Sequence, residues 1–353
     1  MKRLRWQILV VAITLIVVGV LLVTQQAGPK LFVAQPTEGG VYTEGLVGSI
    51  SRLNPMLDLQ NPADRDVDRL LYSGLVKFDY RGVPVPDLAQ AWGNTPDGTI
   101  YNFSIRPDAV WHDGQPVTVD DVLFTIDLLK SDASSYPQDV KDLWNKVEIK
   151  KLDDKTVQFT LPEPFAPFLD YVTFPLLPKH LLGNISPDQL ANADFNLAPV
   201  GTGPFKFDRL IVDGGKITGV ELSAFDKYYL EKPFIQKVIF HYFDTSAAAL
   251  DAYEQGQVLA VSRITPDVLQ RALQDANLAV HTARLPRMSL VFLNLKDPEA
   301  EFLQDPAVRQ AMLLGTNRKY IVEKLLAGQG IIADGPLFPG TWAYYDEIGR
   351  AHV

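Results

Sequence analysis

The chain contains no cysteine among its 353 residues. This absence excludes disulfide bonds, thiolate metal sites, a cysteine nucleophile and a lipid-modified N-terminal cysteine. Basic residues are also few, since 33 Lys and Arg stand against 42 Asp and Glu, for a formal net charge of −9. No cluster of Lys and Arg occurs after the first five residues. Nucleic-acid binding is therefore not expected, because the neutralisation of phosphates requires a basic face.

Hydrolase motifs are absent as well. The sequence has neither Gly-x-Ser-x-Gly nor His-Glu-x-x-His, and its histidines stand in unrelated contexts. We therefore expect no enzyme, no catalytic residue, no metal site and no cofactor. The composition, with 47% hydrophobic and 21% charged residues, is that of a globular protein. At roughly 150 residues per domain, the length predicts about two domains.

The first 27 residues are predicted to form an N-terminal membrane anchor or signal segment. Basic residues precede an apolar run over residues 8–23, which comes close to the ~20 residues that span a bilayer. Positive residues stay on the cytoplasmic side, so the rest of the chain is expected to be extracytoplasmic. Cleavage stays open, because Ala27 suits a peptidase but Gln25 stands where a small residue is wanted. Residues 28–40 contain several Gly and Pro and are predicted to be a linker.

The most informative stretch is residues 91–123. A Pro-Asp-Gly turn precedes residues 99–105, where bulky and polar side chains alternate with the period of a half-buried strand. A second turn follows, and then Thr118 and Asp121 stand three positions apart as a capping pair. The stretch therefore predicts turn, strand, turn and helix start in succession.

The same stretch carries a family resemblance, in the ordered residues Trp92, Asp97, Gly98, Tyr101, Phe103, Arg106, Trp111, His112, Asp113, Gly114, Pro116, Asp120, Asp121 and Val122. This order resembles a segment of the family 5 extracellular solute-binding proteins, the oligopeptide- and dipeptide-binding receptors of ABC importers. The segment Pro-Val-Gly-Thr-Gly-Pro-Phe at 199–205 is a second match. Its two glycines suggest a backbone that turns tightly or approaches another group closely. Trp111, His112 and Asp113 are expected to be scaffold residues.

The resemblance implies an α/β fold with two lobes, like the type II (cluster C-like) periplasmic binding proteins. We expect lobe I over residues 41–235, with an inserted subdomain at about 131–198, and an incomplete lobe II over 236–346. Local patterns predict strands at 41–53, 147–149, 156–161, 258–261 and 288–295. They also predict helices at 64–75, 140–144 and 246–255, and two further helices that begin at 265 and at 306.

The resemblance also implies ligand-contacting positions, namely Ser49, Ile50, Ser51, Ser262, Arg263, Leu285 and Arg287. An ordinary strand end is the alternative interpretation of the first three. Either arginine could pair with the carboxylate of a bound peptide through two parallel hydrogen bonds. A solvated surface arginine is the competing interpretation.

The implied function is to bind a peptide, or a similar small solute, between the lobes and to deliver it to the permease of an ABC transporter. The family also binds nickel chelates, opines and oligosaccharides, and transport is not distinguished from ligand sensing. We expect a monomer. Family members run on well beyond this chain, and the tail 347–353 is expected to derive from sequencing adapter, with a natural variant tail as the alternative.

Overall fold

The computed structural model describes residues 37–132, 134–282 and 287–333, with the single residues 6, 14, 18, 335, 337 and 338. The anchor predicted over residues 1–27 lies almost entirely outside these described residues, and the tail 347–353 lies wholly outside them. None of the helices in the described part has the length and apolar character that crossing a membrane would require.

The described residues form eleven strands, in chain order β1 (Val41–Val47), β2 (Val76–Phe78), β3 (Pro84–Pro86), β4 (Ala89–Asn94), β5 (Ile100–Ile105), β6 (Glu148–Lys151), β7 (Thr156–Thr160), β8 (Phe205–Asp213), β9 (Lys216–Ala224), β10 (Lys237–Phe243) and β11 (Ala260–Val261). The α-helices are α1 (Pro62–Leu71), α2 (Val119–Lys130), α3 (Gln138–Lys146), α4 (Phe168–Tyr171), α5 (Lys179–Leu182), α6 (Ser246–Glu254), α7 (Pro266–Gln274), α8 (Pro306–Gly315) and α9 (Arg318–Tyr320). Short 3-10 helices cover Pro187–Asn192, Asp194–Leu197 and Pro298–Gln304, and a short π-helix covers Ile321–Leu325.

A five-stranded mixed sheet has the order β11-β1-β10-β9-β8. β1 pairs in parallel with both β10 and β11, whereas β8, β9 and β10 pair antiparallel. The connection from β10 through α6 to β11 therefore passes over β1. Three parallel strands end side by side at one edge, and the carboxyl ends of such strands are where open α/β sheets bind ligands.

A four-stranded antiparallel sheet has the order β4-β5-β7-β6. The alternation read from the sequence is confirmed in β5, where Tyr101, Phe103 and Ile105 are buried. The strands predicted at 147–149 and 156–161 are confirmed as β6 and β7, which pair antiparallel.

The capping pair predicted at the start of α2 is confirmed. The Asp121 carboxylate accepts hydrogen bonds from the Thr118 backbone N–H (2.9 Å), from Trp111 Nε1 (3.3 Å) and from the Lys179 backbone N–H (3.0 Å). One buried carboxylate thus joins a helix start, a loop and the start of α5.

One hydrophobic core runs through the two larger sheets and includes Leu46 in β1 and Phe240 in β10. Its centre is aromatic, and the ring of Phe159 stands edge-on to Trp144 and Phe168 at centroid distances of 5.7 and 5.6 Å. A second, small cluster joins α6 to α7.

One predicted strand differs from the structure, and two sheets extend across predicted domain boundaries, which themselves stay predictions. β10 (Lys237–Phe243) falls within 236–346, the range expected for lobe II, but it lies in the same sheet as β1, because its pairing partner lies far back in the chain. The antiparallel sheet begins at Ala89, well before the subdomain predicted at about 131–198. The strand predicted over 288–295 is wrong, since the segment pairs with no strand in the described residues. A strand needs a partner for its N–H and C=O groups, and Val291 and Phe292 are 86% and 88% exposed.

Candidate functional site

The loop after β1 carries the first three predicted ligand positions, Ser49, Ile50 and Ser51. Gly48 begins the loop with a φ of 130°, a left-handed conformation that favours glycine, and its N–H donates to the carbonyl of Phe243 in β10 (2.9 Å). The chain therefore turns away from the sheet at the point where β1 ends, and the side chains of Ser49 and Ser51 are exposed.

This loop is attached to the start of α1. Asp64 accepts hydrogen bonds from the backbone N–H groups of Ser51 (2.8 Å) and Arg52 (2.9 Å). The Asn61 side chain donates to the Ser49 carbonyl (2.9 Å) and to Asp64 (2.8 Å). Burial raises the pKa of Asp64, while these donated hydrogen bonds act in the opposite direction. A carboxylate in the first turn of a helix is further stabilised by the helix dipole.

The end of β11 carries two more predicted positions, Ser262 and Arg263. The Ser262 N–H donates to the Gly45 carbonyl (2.9 Å), and its Oγ accepts from the Val47 N–H (3.2 Å). The Arg263 carbonyl accepts a hydrogen bond from Ser246 at the start of α6 (2.6 Å). The Arg263 side chain is exposed.

The structure thus brings five of the seven predicted positions to one place, the carboxyl ends of the neighbouring strands β1 and β11. Leu285 lies outside the described residues. Arg287 is exposed in a segment without regular structure, and no described contact joins it to this edge. The structure therefore does not bring Arg287 together with the other five.

The chemistry of this edge suits a small polar ligand. The exposed serine hydroxyls can donate and accept hydrogen bonds, and Ser262 can still donate its proton while its Oγ accepts from Val47. A guanidinium such as that of Arg263 matches the geometry of a carboxylate. Among the described residues, no group of His, Asp and Glu is arranged to hold a metal ion.

His112 has a structural position. Its Nδ1 accepts from the Gly201 N–H (3.1 Å), and its Nε2 donates to the Gly203 carbonyl (3.1 Å), which requires a neutral ring protonated on Nε2. Burial lowers the pKa of His112 to about 4. The close approach predicted for the two glycines is confirmed, since the Gly203 N–H donates to the Leu71 carbonyl (2.8 Å).

Sequence reasoning missed the acidic residues on the inner face of α1. Asp64 and Asp68 are buried together with Val67 and Leu71. These positions follow the i, i+3, i+4, i+7 spacing of one helical face. The sequence therefore did contain a signal for these residues, namely two acidic positions on the otherwise apolar face of a predicted helix.

Comparison with known proteins agrees with the resemblance. The model of the "Bacterial extracellular solute-binding proteins, family 5 Middle" matches residues 83–352. A Brucella ovis protein, named as a candidate ABC transporter peptide-binding protein, is 32% identical over 253 residues, which cover 69% of this chain and 45% of that protein. The chain therefore spans about half the length of the curated relatives that it matches. The family match runs to residue 352 and does not set the tail 347–353 apart, so its foreign origin stays a prediction.

Two solved structures are similar over most of the chain. NikZ from Campylobacter jejuni, in complex with Ni(L-His), has a TM-score of 0.67 at 30% identity. The match covers 84% of this chain and 57% of the NikZ chain. The oligopeptide-binding protein AppA from Bacillus subtilis, in complex with a nonapeptide, has a TM-score of 0.71 at 26% identity. The match covers 88% of this chain and 60% of the AppA chain. These matches agree with the expected two-lobed α/β fold and its incomplete second lobe. The chain belongs to the bacterial extracellular solute-binding proteins of family 5.

Proposed function

We propose that this protein is an extracytoplasmic receptor that binds a peptide and delivers it to the permease of an ABC transporter. The observation that carries the proposal is the meeting of the loop 49–51 with Ser262 and Arg263 at the carboxyl ends of β1 and β11. Relatives of the chain are named peptide-binding proteins, and AppA was solved with a nonapeptide.

Recognition at this edge would use few groups. A peptide offers alternating N–H and C=O groups, which the serine hydroxyls and the loop backbone can match. Arg263 would pair with the C-terminal carboxylate, where a bidentate contact adds both affinity and orientation. Small-molecule sites in proteins generally fix the orientation of the ligand with a small number of placed polar groups.

We further propose that the segment 1–27 keeps the protein at the outer face of the membrane, and that the protein works as a monomer. The basic residues before the apolar run support this orientation, and the absence of cysteine leaves this apolar segment as the proposed means of attachment. Ligand sensing would use the same receptor and the same site.

A nickel chelate is the second candidate ligand. It is favoured by one observation, the 30% identity with NikZ, which was solved with Ni(L-His). A chelate that brings its own ligands could be bound without a protein metal site. Titration with Ni(L-His) and with peptides, in separate calorimetric experiments, distinguishes the two candidates.

The peptide proposal predicts a loss of affinity in Arg263→Ala. The lost ion-paired hydrogen bonds should weaken binding of a peptide with a free C-terminus about 10-fold or more. Amidation of the peptide C-terminus should cause the same loss in the wild type and little further loss in the variant. Isothermal titration of both peptides against both proteins measures this coupling.

Arg81→Ala is the matched control, because Arg81 is exposed and pairs with Asp79 on the turn between β2 and β3, which form a sheet separate from that of β1 and β11. Arg287→Ala tests the other predicted arginine. Unchanged affinity in Arg263→Ala, with a loss in Arg287→Ala, would assign the carboxylate to Arg287 instead.

A further inference from the structure

The loop that carries Ser49 and Ser51 is attached to the protein through one buried carboxylate, that of Asp64 in the first turn of α1. Its Oδ1 accepts from the Ser51 N–H (2.8 Å), and its Oδ2 accepts from the Arg52 N–H (2.9 Å) and from the Asn61 side chain (2.8 Å). Asp64 itself is 1% exposed. Both oxygens therefore serve as acceptors for N–H donors, which is the arrangement that suits an ionised carboxylate.

Asn61 cannot take over this attachment. Its Oδ1 already accepts from the Ala63 N–H (3.1 Å) and caps α1, and its Nδ2 donates to Asp64 and to the Ser49 carbonyl (2.9 Å). Among the described residues, the two loop N–H groups have no acceptor other than Asp64. The position of the loop therefore depends on the state of a single carboxyl group.

Protonation of Asp64 would weaken this attachment. Hydrogen bonds to an ionised acceptor are roughly twice as strong as bonds between neutral groups, so a neutral carboxyl group holds the loop less tightly. A proton on either oxygen would also compete with an N–H donor that is already there. Ser51 is exposed, so water can replace Asp64 as the acceptor for its N–H group. The loop would then leave the start of α1.

We propose that Asp64 is a positioning residue for the ligand site, whose ionised form holds the loop 49–51 in place for binding and whose protonated form releases it. This role rests on the proposed function, in which the loop 49–51 contacts the peptide. The receptor would therefore hold its ligand at neutral pH and bind it more weakly as its surroundings become acidic. Affinity falls with the fraction of protein that is competent to bind.

The groups around Asp64 are mainly acidic. Burial raises the pKa of Asp64, against the hydrogen bonds that it accepts and the positive charge of Arg52. Burial first, and the negative charge of Asp64 among the further causes, raises the pKa values of Asp58 before α1, Asp68 on α1 and Tyr242 on β10. The pKa of Asp58 is about 6. Loop release is therefore expected at a higher pH than the ~3.9 of an ordinary aspartate.

These acids interact, so a transition midpoint belongs to the group as a whole and only substitutions can assign the proton to one residue. Neither Asp68 oxygen and not the Tyr242 hydroxyl has a hydrogen-bond partner among the described residues. Asp64 is therefore the acid of this group with described hydrogen bonds to the backbone of the loop.

The release can be measured without any ligand. A fluorescent label attached through Ser49→Cys in the 353-residue chain reports the loop, and a label attached through Val41→Cys, at the other end of β1, is the control for the dye. We expect a reversible change in emission from the label at residue 49 as the pH falls from 7.5 to 4.5, and none from the label at residue 41. Asp64→Asn should abolish the transition, because an amide does not titrate, whereas Asp58→Asn should keep it.

Peptide affinity is the second readout. Asp64→Asn should weaken peptide binding about 10-fold at pH 7.5, because the amide NH₂ group meets an N–H donor whichever way it is turned. The ratio between wild type and variant should become smaller as the pH falls, because the wild type then also carries a neutral group at residue 64. Protonation of the peptide carboxylate affects both proteins equally and cancels in this ratio.

Asp66→Asn is the matched control, because Asp66 lies on the same helix with a half-exposed side chain and pairs with Arg69 (3.7 Å). It should change the affinity less than about 3-fold, as expected for a surface ion pair, and should keep the loop transition.

Two results would overturn the proposal: a label at residue 49 that titrates alike in the wild type and in Asp64→Asn, or an affinity ratio that stays constant with pH. If Asp64→Asn does not fold, the remaining proteins decide, since a label that shows no transition, or one whose transition is lost in Asp58→Asn, would also overturn it. If no peptide binds at either pH, the proposed function fails, whereas the label still tests the release of the loop.

Discussion

Gly201→Ala is expected to destabilise the protein by about 3 kcal/mol or more, the range of severe overpacking. A Cβ at this position would lie 1.9 Å from the carbonyl oxygen of Leu71, and one at Gly203 would lie 2.3 Å from that of Leu70. The two atoms that an added Cβ would meet are backbone carbonyl oxygens at the end of α1. They cannot move aside as a flexible side chain would, so α1 and the Gly-Thr-Gly segment must separate.

Thermal unfolding measures this effect, and the midpoint should fall by roughly 5 °C or more. Gly93→Ala is the control, because no atom lies within 4 Å of its added Cβ and its φ is ordinary. That variant should unfold within about 1 kcal/mol of the wild type. A Gly201→Ala protein as stable as Gly93→Ala would contradict the close packing described here.

His112→Phe is expected to lower the free energy of unfolding by about 3 kcal/mol at pH 7.5. The phenyl ring can occupy the place of the imidazole, which stands edge-on to Phe225 at 4.9 Å. It can neither accept from the Gly201 N–H nor donate to the Gly203 carbonyl, and both glycines are buried. Two buried backbone groups would therefore lose their partners.

The loss of stability in His112→Phe should become smaller as the pH falls. The pKa of His112 is about 4 in the folded protein because of burial, against ~6.5 in an unfolded chain. The unfolded state therefore binds more protons between these values. The stability that neutral His112 contributes is fully present above pH ~6.5 and is lost as the pH falls towards 4, at about 1.4 kcal/mol per pH unit.

Urea unfolding of both proteins at pH 7.5 and pH 4.5 measures this dependence. The difference in free energy of unfolding between the wild type and the variant should be smaller by about 2–3 kcal/mol at pH 4.5 than at pH 7.5. The buried carboxyl groups of α1 have raised pKa values, so they act in the opposite direction, but they are present in both proteins and cancel. A difference that stays constant with pH would show that His112 is not held neutral in the fold.

Local features were the part of the fold that the sequence could predict. The alternation in β5 and the capping pair of α2 depend on residues within a few positions of one another, and both are confirmed. The two glycines of Gly-Thr-Gly also predicted a close approach correctly. The sequence could not show that the approached group is the end of α1, because that contact joins distant parts of the chain.

Long-range pairing limited the rest. A strand such as Lys237–Phe243 has the same appearance in either lobe, and only its hydrogen bonds to Val41–Val47 place it beside β1. The predicted strand at 288–295 shows the converse, since an apolar run does not become a strand without a partner. At the candidate site, positions 49–51 and 262–263 were predicted by resemblance, whereas Asp64, which attaches the loop, was not.

The proposed function depends on ligand binding at the carboxyl ends of β1 and β11. The absence of cysteine allows a direct test with a single fluorescent label. Ser49→Cys places the label in the loop after β1, and Val41→Cys, at the half-exposed opposite end of the same strand, is the control. We expect a saturable change in emission with peptide, or with Ni(L-His), for the label at residue 49 and none for the label at residue 41. Binding that is detected by calorimetry but leaves the label at residue 49 unchanged would contradict it.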